Sequence, residues 1–357
     1  SGSKLPVEHL LPEAAESITL SSSLGGRMTV SFKKALVTGG AGFIGSHLTE
    51  NLVAKGCRVT VLDNFSSGRR TNLTRVAADI DLIEGDIRDP LAVERAAKGC
   101  EVIFHLAAVV SVPQTVAQPL DSARVNDLGT LHVLEAARDA GSGAVVFASS
   151  SAVYGDDPGL PKRESMIPKP LSPYAVQKIT GEYYARVYHE LYGIDTASLR
   201  FFNVFGPRQD PSSPYSGVIS IFMSKAVAQT GPIIYGDGTQ SRDFVYVSDV
   251  VRAMIGAATT KAAAGQSINV GTGTSIDINR LWRTIAGMAG LSNVPRYDPP
   301  RAGDIIASVA AVDTAESLLG FKTEVSLEDG LERTFRWYAA SQTTAGAYSQ
   351  KGSENGD

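Results

Sequence analysis

The chain has 357 residues, 43% of them hydrophobic and 20% charged, with 33 basic against 37 acidic side chains and a formal charge of −4. One hydrophobic core stops growing near about 250–300 residues, so two lobes are expected, and the composition excludes wholesale disorder. The absence of an apolar run of about 18 residues argues against a membrane helix, and a mildly acidic chain without a long basic run is a poor partner for nucleic acid.

Residues 1–31 begin with Ser1-Gly2-Ser3, which reads as a vector remnant, and carry Glu8, Glu13 and Glu16 without the apolar stretch of a signal peptide. They are expected to be a flexible N-terminal extension. Short β-branched runs at 34–38, 58–62, 81–84, 102–106 and 144–149 read as buried strands, with 44–54, 90–98, 122–139 and 173–191 as helices between them. Strands spaced by helices imply right-handed crossovers and a parallel sheet covered on both faces. From Gly206 the pattern loosens through Pro207, Pro211 and Pro214 before a helix at 218–230. The expected fold class is α/β: a Rossmann-type, doubly wound parallel sheet (32–204 and 244–271) with a smaller α/β lobe (205–243 and 272–340). Residues 341–357, rich in Ser, Gly, Gln and Thr, read as a flexible tail. The two cysteines, Cys57 and Cys100, make neither a disulfide framework nor a cysteine-rich zinc site and fit a reducing, cytoplasmic setting.

The first strand runs into Gly39-Gly40-Ala41-Gly42-Phe43-Ile44-Gly45, which opens a helix. Gly39 serves the tight turn, Gly42 lets backbone N–H groups approach a diphosphate, and Gly45 lets helix and strand pack closely, with the pyrophosphate at the positive helix end. The second strand ends in Asp63, 18 residues after Gly45, where a carboxylate accepts hydrogen bonds from an adenosine ribose. That carboxylate repels a 2′-phosphate, so NAD is favoured over NADP, with Arg69 and Arg70 leaving NADP open. In Gly85-Asp86-Ile87 the carboxylate reads equally well as an adenine contact or a strand-end turn residue. His105-Leu106-Ala107-Ala108 supplies small apolar residues where backbone passes close to a flat ring.

Tyr174 and Lys178 stand four apart at a helix start, one turn on the same face. An ammonium beside a phenol stabilises the phenolate, bringing it toward the range of a general base. Ser149-Ser150-Ser151 ends a strand at the carboxyl edge of the sheet, where ligands bind in open α/β folds. His105, His132 and His189 lack metal-ligand spacing, so no metal is expected.

In these motifs the chain resembles the extended short-chain dehydrogenase/reductases, and within them the nucleotide-sugar (UDP-glucose/UDP-N-acetylglucosamine) 4-epimerases. The resemblance covers about 33–340 and rests on 38–45, Asp63-Asn64, Gly85-Asp86, 149–155, Tyr174 with Lys178, 201–207, 235–238, Arg242-Asp243 and 301–304. It implies an isomerase in which tyrosine removes the sugar 4-hydroxyl proton as the C4 hydride passes to NAD. The 4-keto sugar then turns and takes the hydride back on its other face. The family's catalytic hydroxyl maps onto Ser150 with Ser151 beside it, and a one-residue slip leaves Ser149 open. For NAD the resemblance implies Gly39, Gly42, Phe43, Ile44, Gly45, Asp63, Asn64, Asp86, Ile87, Leu106, Ala107, Ala108, Tyr174, Lys178 and Phe201.

For the UDP-sugar it implies Ser111, Ser150, Ser151, Asn203, Gly217, Val218, Tyr235, Arg242, Arg301, Asp304 and Ser308. Asn203 would contact the diphosphate sugar, Arg242 and Arg301 would clamp the pyrophosphate, Asp304 the uridine ribose and Tyr235 the base. Residues 150–155 carry no carboxylate where related dehydratases and decarboxylases have one, which favours simple epimerisation. Ser308 stands where glucose/galactose-limited relatives often carry tyrosine, and Gly217 adds no bulk opposite. UDP-GlcNAc/UDP-GalNAc is therefore the expected pair, with UDP-Glc/UDP-Gal accepted. A UDP-glucuronate 4-epimerase is the nearest alternative and a non-catalytic NAD-binding regulator the alternative from another class. The helices 122–139 and 173–191 (Val125, Leu128, Leu131, Leu134; Ile179, Tyr183, Val187) read either as a homodimer interface or as core.

Overall fold

The structure, a computed structural model, describes residues 30–210, 217–292, 294–300 and 305–351. Its centre is a seven-stranded parallel sheet. The strands are β1 (Lys34–Thr38), β2 (Arg58–Asp63), β3 (Ile80–Glu84), β4 (Val102–His105), β5 (Ala144–Ser150), β6 (Asp195–Phe201) and the edge strand Gln266–Val270. From that edge the order is Gln266–Val270, β6, β5, β4, β1, β2, β3, every pair parallel. The chain reverses its winding between β1 and β4, and a doubly wound sheet binds its ligand outside the strand ends at that point.

Burial follows the two-residue period of a strand. In β1, Ala35 and Val37 enter one core with Leu48, Leu52, Val250 and Met254, while Leu36 enters another with Val93, Val133, Leu134 and Tyr188. The first layer is supplied by α1 (Phe43–Ala54) and the helix Val247–Thr259. The second comes from α2 (Pro90–Ala97) and the helices Gly129–Asp139 and Pro173–Tyr192. A separate cluster (Phe205, Phe222, Tyr246, Trp282, Ile285, Leu331) holds together the helices Val218–Val227, Ile278–Met288 and Leu327–Lys351.

Three local differences from the sequence reading have physical causes. Residues 122–139 are not one regular α-helix, since Arg124–Leu128 is a π-helical turn between Pro119–Ala123 and Gly129–Asp139. The Asn126 side chain in that turn is committed to the Val109 backbone and to Gln177. Two strands, β6 and Gln266–Val270, carry Thr196, Ser198, Arg200, Ser267 and Asn269, which break the apolar run a buried strand usually shows. The helix Leu327–Lys351 also continues into the segment read as an unstructured tail.

Asp243 ties the second cluster to the sheet. Fully buried, it accepts from Thr272 N (2.8 Å), Thr272 Oγ1 (2.7 Å), Gly273 N (3.0 Å) and Ala310 N (3.1 Å). Burial pushes its carboxyl up from the usual range, and these donors pull it back. Replacing it strands several buried donors at once, so Asp243→Ala is expected to lower stability by about 3 kcal/mol in urea titration; a loss below about 1 kcal/mol would contradict this role.

Candidate active site

The turn after β1 is built for close backbone approach. Gly39 has φ +71°, and a Cβ there would meet the Ala107 backbone N at 2.8 Å. At Gly45 a Cβ would lie 2.1 Å from the Gly39 carbonyl oxygen. The Gly42 N-cap of α1 offers no side-chain cap, which leaves the first-turn N–H groups to a ligand. Asp63 at the end of β2 is buried and braces the turn, its Oδ2 accepting from Ala41 N and its Oδ1 from Phe65 N, both at 2.8 Å. A carboxylate has about four acceptor sites, so capacity remains for ribose hydroxyls.

Asn64 Nδ2 donates to Asp86 Oδ2 at 2.8 Å, and Arg88 grips the same carboxylate, holding it down at about 2. These bonds pin the Asp86 carboxylate at the end of the strand, with Ile87 buried beside it. Phe43 and Ile44 border the second cluster, and Phe201 is buried at the end of β6.

The stretch after β4 is held by a chain of hydrogen bonds. Thr38 Oγ1 accepts from Leu106 N (3.2 Å) and Ala107 N (3.3 Å) and faces His105 Nδ1 at 2.8 Å, with His105 Nε2 3.0 Å from Thr130 Oγ1. Burial drops the His105 pKa to about 3, so the ring is neutral. With Thr38 donating to Nδ1, Nε2–H donates to Thr130. Ala107 lies against the glycine turn, Ala108 follows it, and Asn126 fixes Val109 from both sides, with Oδ1 accepting its N–H (2.8 Å) and Nδ2 donating to its carbonyl (2.9 Å). Ser111 caps the short helix Val112–Ala117.

The helix Pro173–Tyr192 starts sharply because Ser172 accepts the Ala175 N–H and Pro173 occupies the first position. That start sets Tyr174 and Lys178 against the end of β5. Lys178 is buried, donates from Nζ to the Ala148 carbonyl at 2.7 Å and lies 4.8 Å from the Phe147 ring centre and 5.8 Å from that of Tyr174. Burial lowers its pKa to about 8, against the pull of Glu182. Burial raises the half-buried Tyr174 phenol, and a hydrogen bond with Ser150 opposes that rise.

The serine run divides. Ser150 meets Tyr174, Ser151 opens the short turn Ser151–Tyr154, and Ser149 points into a buried cluster where it donates to Glu182. That cluster holds the Glu182–Arg200 ion pair (2.7 Å), absent from the sequence reading although Glu182 falls on the Tyr174–Lys178 face, one turn further on.

Of the expected substrate contacts, Asn203, Gly217 and Val218 line one cavity of about 180 Å³ with Phe205 and Phe244. Tyr235 lines a larger one of about 850 Å³ with Gly236, Tyr297 and Asp298. Asn203 Nδ2 donates to the Asp243 carbonyl at 3.2 Å and Arg242 Nη1 to the Ser241 carbonyl at 2.9 Å. Ser308 is buried, its N–H donating to the Ser241 carbonyl at 3.1 Å. Arg301 and Asp304 lie outside the described residues. His132 Nδ1 bonds the Ile87 carbonyl and His189 Nδ1 that of Ile194, each at 2.9 Å.

The model of the NAD dependent epimerase/dehydratase family matches residues 35–271. The UDP-glucose 4-epimerase of Mycolicibacterium smegmatis is 41% identical over 313 residues, covering 85% of this chain and 98% of the relative. The chain belongs to the NAD-dependent epimerase/dehydratase family. A UDP-N-acetyl-alpha-D-glucosaminuronate decarboxylase of Bacillus cytotoxicus is 35% identical over 320 residues, 86% of this chain and 98% of that one. Among solved structures, a UDP-N-acetylglucosamine 4-epimerase from Methanobrevibacter ruminantium in complex with UDP-N-acetylmuramic acid superposes with a TM-score of 0.83 at 40% identity, covering 88% of this chain and all of the other. NAD is the cofactor of this epimerase/dehydratase, and at Gly39 and Gly45 a Cβ would run into the backbone of the turn itself, so the conformation of this turn depends on glycine. Gly45→Ala is therefore expected to leave protein without nucleotide after purification, measured by ultraviolet absorbance and release on denaturation. Full NAD occupancy in that variant would overturn the assignment of the turn.

Proposed function

We propose that this chain is a UDP-sugar 4-epimerase that interconverts UDP-GlcNAc and UDP-GalNAc and also accepts UDP-Glc and UDP-Gal. The observation that carries the reading is the Tyr174–Lys178–Ser150 group at the end of β5, with no carboxylate among residues 150–155. Dehydration needs an acid and a base beyond the tyrosine. An unassisted tyrosine matches oxidation and re-reduction at a single carbon.

In this reading Tyr174, as phenolate, takes the sugar 4-hydroxyl proton while Ser150 donates a hydrogen bond to the same oxygen. Lys178 holds the phenolate charge. Bound NAD supplies the hydride acceptor and later donor at C4. The 4-keto sugar turns about its diphosphate so that the other face of C4 would meet the returning hydride, and Tyr174 gives the proton back to the C4 oxygen. Asn203, Arg242 and, in the segment 301–304, Arg301 and Asp304 would hold the nucleoside diphosphate, with Tyr235 at the base. On the same reading the NAD lobe is 32–204 with 244–271, and the UDP-sugar lobe is 205–243 with 272–340.

Ser308 supports the acetylated pair, because serine is much smaller than the tyrosine that glucose/galactose-limited relatives often carry at this position. We also propose a homodimer through residues 122–139, which include the π-helical turn Arg124–Leu128, and the helix Pro173–Tyr192. Leu134 (1% exposed) and Ile179 (7%) belong to the core, whereas Leu128 (52%), Tyr183 (59%) and Val187 (42%) remain outside it. No described helix is long and apolar enough to cross a membrane. The composition suits a cytoplasmic enzyme.

Incubation with a panel of UDP-sugars, read by NMR, tests the function. Interconversion of both acetylated and plain pairs is expected; exclusive turnover of the plain pair defeats the size argument, and release of CO₂ from a UDP-uronate defeats the epimerase reading. Ser308→Tyr is expected to depress kcat/KM for the acetylated pair about tenfold more than for the plain pair. Tyr174→Phe is expected to abolish turnover while NAD stays bound.

A further inference from the structure

Three consecutive residues of β5 are matched to three residues at successive turns of the helix Pro173–Tyr192. Ser150 meets Tyr174, the Ala148 carbonyl takes Lys178, and Ser149 donates to Glu182. The third pairing plays no part in the mechanism above. Glu182 is buried and saturated: Arg200 Nε donates to Oε1 at 2.9 Å, Arg200 Nη2 to Oε2 at 2.7 Å and Ser267 Oγ to Oε2 at 2.9 Å. Register explains the convergence, because Ser149, Arg200 and Asn269 stand in one row across β5, β6 and the edge strand.

The charges around Lys178 can be assigned from every side. Its own helix presents Tyr174 and Glu182. From β4 comes His105, neutral through burial. Behind Glu182, β6 presents Arg200, whose Nη1 donates to Tyr154 OH at 2.9 Å, and Tyr154, pushed up to about 12, stays a phenol. Beyond Arg200, Glu164 Oε1 accepts the Asn269 N–H at 2.9 Å and buried Lys162 donates to the Asp157 carbonyl. The Lys178–Glu182–Arg200 set itself therefore holds two cations and one anion. It has one positive charge in excess when Tyr174 is protonated and none when Tyr174 is a phenolate.

We infer that Glu182 is a positioning residue for the reaction: by neutralising Arg200 it leaves one net positive charge, on Lys178, for the Tyr174 phenolate, and through Ser149 it fixes the strand end that carries Ser150. The same carboxylate keeps Lys178 protonated against its desolvation. The inference rests on the reading of Tyr174 as the base.

The sign of each substitution follows. Without the Glu182 charge the Arg200 cation is uncompensated, so Tyr174 and Lys178 both lose their protons at lower pH. Without the Arg200 charge the carboxylate is uncompensated, and both hold them to higher pH. In wild type the two limbs of kcat against pH are expected to report Tyr174 and Lys178 titrating as a coupled pair. Glu182→Gln is expected to move both limbs down by about one pH unit, Arg200→Gln to move both up by about as much, and the double variant to return them to the wild-type position. Either single variant read against the double suffices, so loss of fold in one leaves the other. Glu182→Asp, which keeps the charge, is expected to keep the limbs in place. Single variants with lower kcat but unmoved limbs would make the pair a structural brace and overturn the inference. Failure of the Tyr174 reading shows separately, as full turnover in Tyr174→Phe.

Discussion

Lys178 Nζ donates to the Ala148 carbonyl at the end of a fully covered parallel strand, and the rest of the site is arranged around keeping that charge away from water. A buried ammonium is costly unless hydrogen-bonded and compensated. The cost is visible as a pKa lowered to about 8, which also places the group where its charge acts on a neighbouring phenol. The helix N-cap at Ser172 fixes where Lys178 can reach, and β5 supplies the carbonyl that receives it. The Phe147 ring beneath Nζ adds a cation–π contact that water would weaken.

The remaining parts serve alignment between this charge and the cofactor. A parallel sheet buried on both faces leaves only its strand ends open, so chemistry gathers at the carboxyl edge where β1 and β4 part. The Gly39 turn and the Leu106-Ala107 backbone touch there, closer than any side chain would permit. The Thr38–His105–Thr130 chain holds that contact through a neutral imidazole, adding no second charge beside Lys178. The Arg200–Glu182 pair does the same for β6, where an arginine without its carboxylate would compete with Lys178 for the phenolate.

The strands rich in β-branched and apolar residues were legible from sequence to within a residue or two, as were the glycine turn and the helix carrying Tyr174 and Lys178. The strands β6 and Gln266–Val270 were not. Their alternate positions hold Ser198, Arg200, Ser267 and Asn269, polar groups that a buried strand tolerates only with partners. Those partners lie 18 or more residues away, at Glu182 and Lys162, so no local pattern announces them. Asn126 was hidden for a similar reason. Its amide satisfies the Val109 backbone across 17 residues, and the π-turn around it has no local signature. Among the serines, neighbouring residues differ only in direction, and direction is set by strand twist against the helix. The structure turns Ser149 to Glu182 and leaves Ser150 to Tyr174.

In the proposed reaction the proton handled by Tyr174 and the hydride at C4 travel separately, the first through a residue that exchanges with water, the second directly between C4 and the cofactor. Epimerisation of a UDP-sugar deuterated at C4, run in ordinary water and read by NMR, tests this most directly. Retention of the deuterium at C4 in both epimers is the expected result. Its loss to solvent would contradict hydride return within the closed site and would move the chemistry to another atom.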